Sequence, residues 1–241
     1  MAQVINTNVA SLFAGAALNK SADALQIAQA RLSSGLRINS ARDDATGLGI
    51  AVGYDAKIRG ANMNVRNAND GISSAQINDG YLGQVTENTQ RLREIYVQVG
   101  STAFTTNTEA TKLISENTRL TGLVTASTAV TVDANGGTAG GTGTTFTSAT
   151  SFAALSAFDT ELTNINNVRA KFGADMATLS SAVSALQTFT VNTAAAYSRI
   201  MDTDYAAETT NMTRNSILQQ AGTAVLAQAN QTPNSVLGLL R

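Results

Sequence analysis

The sequence predicts a predominantly all-α fold. The expected architecture is a long antiparallel helical rod or coiled-coil bundle, with a small β-hairpin or loop insert at its tip and terminal helices that pair in a coiled coil. Three observations predict it. Apolar residues recur at alternating three- and four-residue spacings from Leu155 to Ile200. Matching seven-residue repeats occupy the first hundred residues and both ends of the chain. The composition is 43% apolar but only 5% aromatic, with much of the apolar fraction Ala; Ala favours helix yet buries little area, which suits slender helices lying against one another.

The elements follow in order. Val4, Leu18, Leu25 and Leu32 share one seven-residue phase, interrupted by Ser11, and Gly35 after Ser33 and Ser34 is a usual helix stop. Residues 40–43, Ser-Ala-Arg-Asp, resemble a capping box, which places Asp43 and Asp44 in the first turn of the next helix, where acidic groups oppose the positive end of the dipole. That helix carries Ile58, Val65 and Ile72 with Ala61, Ala68, Ala75 and Leu82 between them, and its seam then shifts to Val85, Leu92, Ile95 and Val99. Leu113, Leu120 and Val124 mark a shorter segment.

Residues 121–158 hold a single charge, Asp133, and a Gly-rich run from Asn135 to Gly143. The β-branched character of residues 129–132 and 144–147 predicts a hairpin, with a loose loop as the alternative, at the far tip of the rod. The strongest periodicity comes next: eleven of fourteen a and d positions between Leu155 and Ile200 are apolar, and a helix of that length runs about 65–70 Å. Asp202 and Asp204 supply polar caps at which it breaks. Leu218, Val225 and Leu239 share a final phase, interrupted by Thr232, with Gly222, Ala229 and Val236 beside it. The expected divisions are 1–39, 40–120, 121–154, 155–202 and 203–241.

Composition excludes whole classes of chemistry. With no His and no Cys there is no Ser-His-Asp triad, no thiol nucleophile, no His- or Cys-based metal site and no disulfide. Sixteen Lys plus Arg against 17 Asp plus Glu leave a net charge of −1, and the arginines are too sparse for a nucleic-acid track. The Asn-Asp-Gly repeats at 69–71 and 78–80 match no calcium loop, and helix caps explain the paired aspartates better than a catalytic pair. No enzyme activity, cofactor or metal is expected. The N-terminus has no basic region before its apolar residues, and Asn, Gln, Thr and Ser interrupt both long uncharged stretches, so neither a cleavable signal peptide nor membrane insertion is expected.

The two ends present narrow apolar stripes amid amides and hydroxyls. Such helices cannot bury a stripe alone, so both ends are expected to order only on pairing with each other and with copies from neighbouring molecules. The expected assembly residues are Val4, Ile5, Leu12, Leu18, Leu25 and Leu32 near one end, and Ile217, Leu218, Val225, Leu226, Val236, Leu239 and Leu240 near the other.

Three long stretches resemble bacterial flagellin: residues 31–44 (RLSSGLRINSARDD), 66–73 (RNANDGIS) and 217–231 (ILQQAGTAVLAQANQ). The opening Met-Ala-Gln-Val-Ile-Asn-Thr-Asn and the closing Leu-Leu-Arg agree, and the resemblance covers about residues 1–100 and 155–241. It implies an extracellular structural subunit, exported unfolded through the flagellar type III pathway and polymerised into the filament used for swimming. A hook–filament junction protein is the alternative. Implied partners are copies of itself, cap and hook-associated proteins, and an export chaperone on the C-terminal segment. The chain looks like a short, core-only member, with residues 121–154 in place of large outer domains. Residues 90–98 resemble the segment of flagellins recognised by a host Toll-like receptor, and Arg91 and Ile95 fall on its contact positions, with Ile where the family usually has Leu.

Overall fold

The computed structural model describes residues 7–126, 129–131, 137–141, 143 and 145–237. Within these lie five helices, α1 (Val9–Ser34), α2 (Ala45–Phe104), α3 (Thr108–Leu123), α4 (Leu155–Met201) and α5 (Tyr205–Leu237), and one antiparallel hairpin of β1 (Val130–Thr131) with β2 (Thr138–Ala139). The all-α expectation and the small β insert are both realised. The chain divides into two compact units, residues 1–54 with 195–241 and residues 55–194.

Local chemistry sets the helix ends. Asn8 caps α1 by accepting the Ser11 N–H at 3.1 Å, and Gly35, at φ +72°, closes it by donating to the Arg31 carbonyl at 2.8 Å. The start of α2 differs from expectation. Asp43 closes a turn ahead of the helix by accepting the backbone N–H groups of Asn39 and Ser40, while Asp44 is the cap and accepts the Gly47 N–H at 2.8 Å. Neither acid sits in the first turn, because the capping turn itself occupies residues 39–43. Asp204 caps α5 through the Ala206 and Ala207 N–H groups, as the break after Met201 predicts.

In the 55–194 unit, α2 presents Ala61, Ala68, Ala75, Leu82, Val85 and Leu92 as a buried line, and α4 answers with Phe158, Ile165, Phe172, Leu179 and Leu186. In the first half of α2 the buried positions are small and face large α4 residues, and toward its end both helices contribute large ones. Arg169, a polar interruption in the α4 repeat, reaches Asp79 of α2 in a two-pronged pair, with Nε to Oδ1 at 2.7 Å. That contact raises the affinity of the guanidinium for its proton.

Gly100 departs from helical geometry, at φ +73° and ψ 168°, a conformation open to glycine alone. The break turns the last residues of α2 so that Phe104 meets Tyr96 at 5.3 Å and Phe158 at 5.7 Å, edge to face. Phe152, from the segment returning to α4, stacks on Phe158 at 4.2 Å. This aromatic cluster closes the end of the unit where the chain turns from α2 into α3.

The hairpin is not at that end. Val130 and Leu179 both lie about 3 Å from where a Cβ on Gly71 would stand, and Gly140 packs on Leu179. Gly71 is some 50 Å along an α-helix from Phe104 at 1.5 Å per residue, so the insert lies against the flank of α2 and α4. A two-stranded hairpin is marginal in isolation, and its apolar side gains cover only where long helices offer a surface. The returning chain is pinned by Phe146 in the core, to α4 by the Ala149 N–H donating to buried Glu161 at 2.9 Å, and to α2 by the Tyr96 hydroxyl donating to the Ala153 carbonyl at 3.1 Å.

Candidate assembly surface on the terminal helices

In the unit that joins the two chain ends, α1 and α5 run antiparallel in constant register. The Asn8 amide donates to the Ala229 carbonyl at 2.8 Å, Ser11 to Asn230 at 2.8 Å, and Leu18 lies against Gly222. Farther along, Arg31 faces buried Glu208 at 3.9 Å, and Gly35 lies under the Tyr205 hydroxyl. The base of the pair is held by its two connectors. Thr203 N–H donates to Gly35 O at 3.0 Å, Arg37 N–H donates to Met201 O at 2.6 Å, and the Arg37 guanidinium caps the Ile200 carbonyl at the end of α4. Beneath lies a small core of Ile38, Ala51 and Met201.

The centre of the inward face of this pair carries small residues at Ala14, Ser21, Ala28, Gly222 and Ala229. On α1 the centre of the seam is the phase of Ala14, Ser21 and Ala28, with Ala28 only 1% exposed, and Leu18, Leu25 and Leu32 flank it half-buried. On α5 the corresponding phase is Glu208, Asn215, Gly222 and Ala229, with Leu226 half-buried beside it. A second set of large residues points outward: Leu12 is 70% exposed, Phe13 78%, Ile217 60%, Leu218 48% and Val225 56%. Phe13, Ala17, Leu18, Leu218, Gly222 and Val225 line an open apolar groove along one side of the pair. From Asn215 to the end of α5 there is no charged side chain. An exposed apolar strip of this kind, with no charge on its α5 side, is the candidate contact surface.

Thus the structure separates the predicted assembly residues. Leu18, Leu25, Leu32 and Leu226 contribute to the intrachain seam, whereas Leu12, Ile217, Leu218 and Val225 face outward. Val4, Ile5, Leu239 and Leu240 lie outside the described residues, as does the side chain of Val236. Val9, Phe13 and Ile27 are exposed apolar residues of α1 that the seven-residue phase missed. The signal for Phe13 was present, since an aromatic in a charge-poor helix that fits no intrachain repeat needs a partner.

Residues 5–137 match the family described as the bacterial flagellin N-terminal helical region, and residues 155–240 match the bacterial flagellin C-terminal helical region. The chain belongs to the bacterial flagellin family. It is 36% identical to a flagellin of Xenorhabdus nematophila over an alignment of 313 residues that covers 100% of both chains. It is 34% identical to the flagellar filament 33 kDa core protein of Treponema phagedenis over 285 residues, covering 99% of this chain and 100% of that one. A flagellin of Salmonella rubislaw is 57% identical over 98 residues, 41% of this chain and 20% of the relative. As a flagellin, the chain is a structural subunit of the flagellar filament, a reading these relatives favour over the hook–filament junction alternative. Among the described residues, no helix is long and apolar enough to cross a membrane.

The two candidate receptor contacts do not share a surface. Arg91 is exposed and paired with Glu94 at 3.0 Å and Glu109 at 2.9 Å, and both contacts raise the affinity of its guanidinium for the proton. Ile95, one helical turn on, is 2% exposed in the cluster of Leu92, Phe104 and Phe158. It supports the helix from inside. Its inward position follows from the same heptad that carries Leu92.

Proposed function

We propose that this flagellin assembles through the outward apolar faces of α1 and α5, and that residues 1–39 and 203–241 form the inner part of the subunit while 40–202 form the outer part. The observation that carries this reading is how the terminal pair divides its apolar residues: Ala14, Ala28 and Gly222 hold the centre of the seam with leucines flanking it, and Leu12, Phe13, Ile217, Leu218 and Val225 face out. Exposed, these side chains cost free energy; covered by neighbouring subunits, each contributes about 1.5–3 kcal/mol. A contact of that kind between different patches of successive subunits does not close and so propagates as a helical polymer.

Export as an unfolded chain through the flagellar type III pathway fits the absence of disulfides and the thin terminal seam, which orders at small cost only when neighbours cover it. The mature location is extracellular and the role non-enzymatic. Cap and hook-associated proteins meet the same terminal faces at the filament ends, and a chaperone covers the C-terminal segment before export. Host-receptor recognition, where it occurs, rests on Arg91 rather than Ile95, and a reporter assay comparing wild-type monomer with Arg91→Ala reads it directly.

Seeding tests the assembly reading. Purified monomer added to filament fragments elongates them, and removing residues 1–20 or 222–241 abolishes elongation while the remaining chain keeps its helical circular dichroism. Elongation by either truncated chain would overturn the proposal.

A further inference from the structure

We infer that a buried amide network between α2 and α3 is a register lock, which leaves α3 a single alignment on its neighbour. The apolar repeat alone supplies no such choice. Ala110, Leu113, Leu120 and Val124 turn inward at three- and four-residue spacing, and a stripe of that period looks nearly the same after a slide of seven residues.

Asn117 occupies the middle of the stripe, 1% exposed. Its Oδ1 accepts from Asn88 Nδ2 at 2.9 Å, and its Nδ2 donates to Thr89 Oγ1 at 3.3 Å. Thr89 Oγ1 donates onward to the Val85 carbonyl at 2.8 Å, and Gln84 Nε2 donates to Asn88 Oδ1 at 3.2 Å. A second rung closes the other end of α3: Asn78 Nδ2 donates to the Thr125 carbonyl at 2.9 Å, and the Thr125 N–H returns to Asn78 Oδ1 at 3.3 Å. Asn78, Asn88 and Thr89 are all buried.

A slide of one heptad carries Asn117 off Asn88 and Thr89 to the level of Tyr81 and Leu82 or of Ile95 and Tyr96, which offer no carboxamide, and the Tyr96 hydroxyl is already given to the Ala153 carbonyl. The Asn117 carboxamide then loses both of its partners, and the Asn78 clamp opens in the same movement. Each lost rung disfavours the slipped state roughly ten- to a hundredfold. The network adds little net stability over a well-packed apolar seam of equal volume. Its effect is on the choice among alignments.

The test is made on the full-length monomer. Replacing Asn78, Asn88 and Asn117 together by Leu (N78L/N88L/N117L) fills the seam with apolar volume and removes both rungs. Helical dichroism is expected to persist with an unfolding midpoint at or above that of the wild type, while the backbone amide resonances of residues 108–123 split into two or more sets. A single set with the wild-type pattern of α2–α3 methyl contacts overturns the proposal. Should the triple variant fail to fold, the wild type decides. The side-chain amide protons of Asn88 and Asn117 are expected to exchange about 100-fold more slowly than that of exposed Asn62, and equal exchange overturns the lock.

Discussion

Phe13 offers the sharpest test of how the subunits join. It is 78% exposed on the α1–α5 pair, so truncation to Ala removes almost nothing from the folded subunit, and the unfolding free energy of the monomer should change by less than about 0.5 kcal/mol. In the polymer the ring is expected to be covered. Full burial of a Phe side chain contributes about 1.5–3 kcal/mol, and scaling by the exposed share leaves about 1–2 kcal/mol per subunit added. Because 1.4 kcal/mol is about tenfold in an equilibrium constant, Phe13→Ala should raise the critical concentration for elongation by about 5- to 30-fold. Seeded growth, followed by sedimentation and measurement of the protein left in solution, reads that number. A critical concentration within twofold of the wild type would mean that the outward face of α1 is not the interface, which would overturn the assembly reading.

Other positions give independent checks. Phe158→Ala empties the centre of the aromatic cluster, where the ring is fully buried and stacked on Phe152, and should cost about 3–5 kcal/mol in urea unfolding; the same change at half-exposed Phe189 should cost under about 1 kcal/mol. Gly47→Ala, in a helix where Ala is normally favoured, should instead destabilise by about 1 kcal/mol, because the added Cβ collides with the capping carboxylate of Asp44; a rise in thermal midpoint would contradict that account. A double-mutant cycle on Asp79 and Arg169 should return about 0.5–1 kcal/mol, since both side chains are about one-third exposed and solvent screens the pair. The Asn39 and Ser40 N–H groups hold the Asp43 carboxyl below the usual carboxylate range. A lowered folded-state value means that the turn is favoured above the unfolded value of about 3.9 and loses this support as pH falls through the folded one. The Asn39 and Ser40 amide shifts should therefore titrate with a midpoint under about 3.9, and a midpoint at or above it would count against the turn.

Much of this molecule is legible from single residues and their spacing. Asn and Asp caps, the left-handed Gly35 stop and the heptad from Leu155 to Ile200 act over one or two helical turns, so their chemistry does not wait for a partner. The meeting of small α2 positions with large α4 positions, as at Ala75 with Phe172, came only with the antiparallel register that Arg169 and Asp79 fix. Asp43 shows the limit of a local motif: Ser40 and Asp43 form the expected contact, but they close a turn rather than open the helix. Phe13 and Asn117 lay further from view. One fits no intrachain repeat, and the other looks like a flaw in a repeat until its partners, 28 and 29 residues away, are in place.

What the sequence determined by itself was the set of helices, most of their ends, the resemblance to a filament-forming family and the charge-poor character of the two termini. The tertiary structure decided which side of each terminal helix turns inward. Periodicity shows that a helix has an apolar stripe, but close approach of two backbones favours whichever phase is smallest, so Ala14, Ala28 and Gly222 take the seam and the leucine and valine phase of α5 is left outside. It also decided that the hairpin lies along the flank, since two short strands gain stability only where long helices offer them a surface.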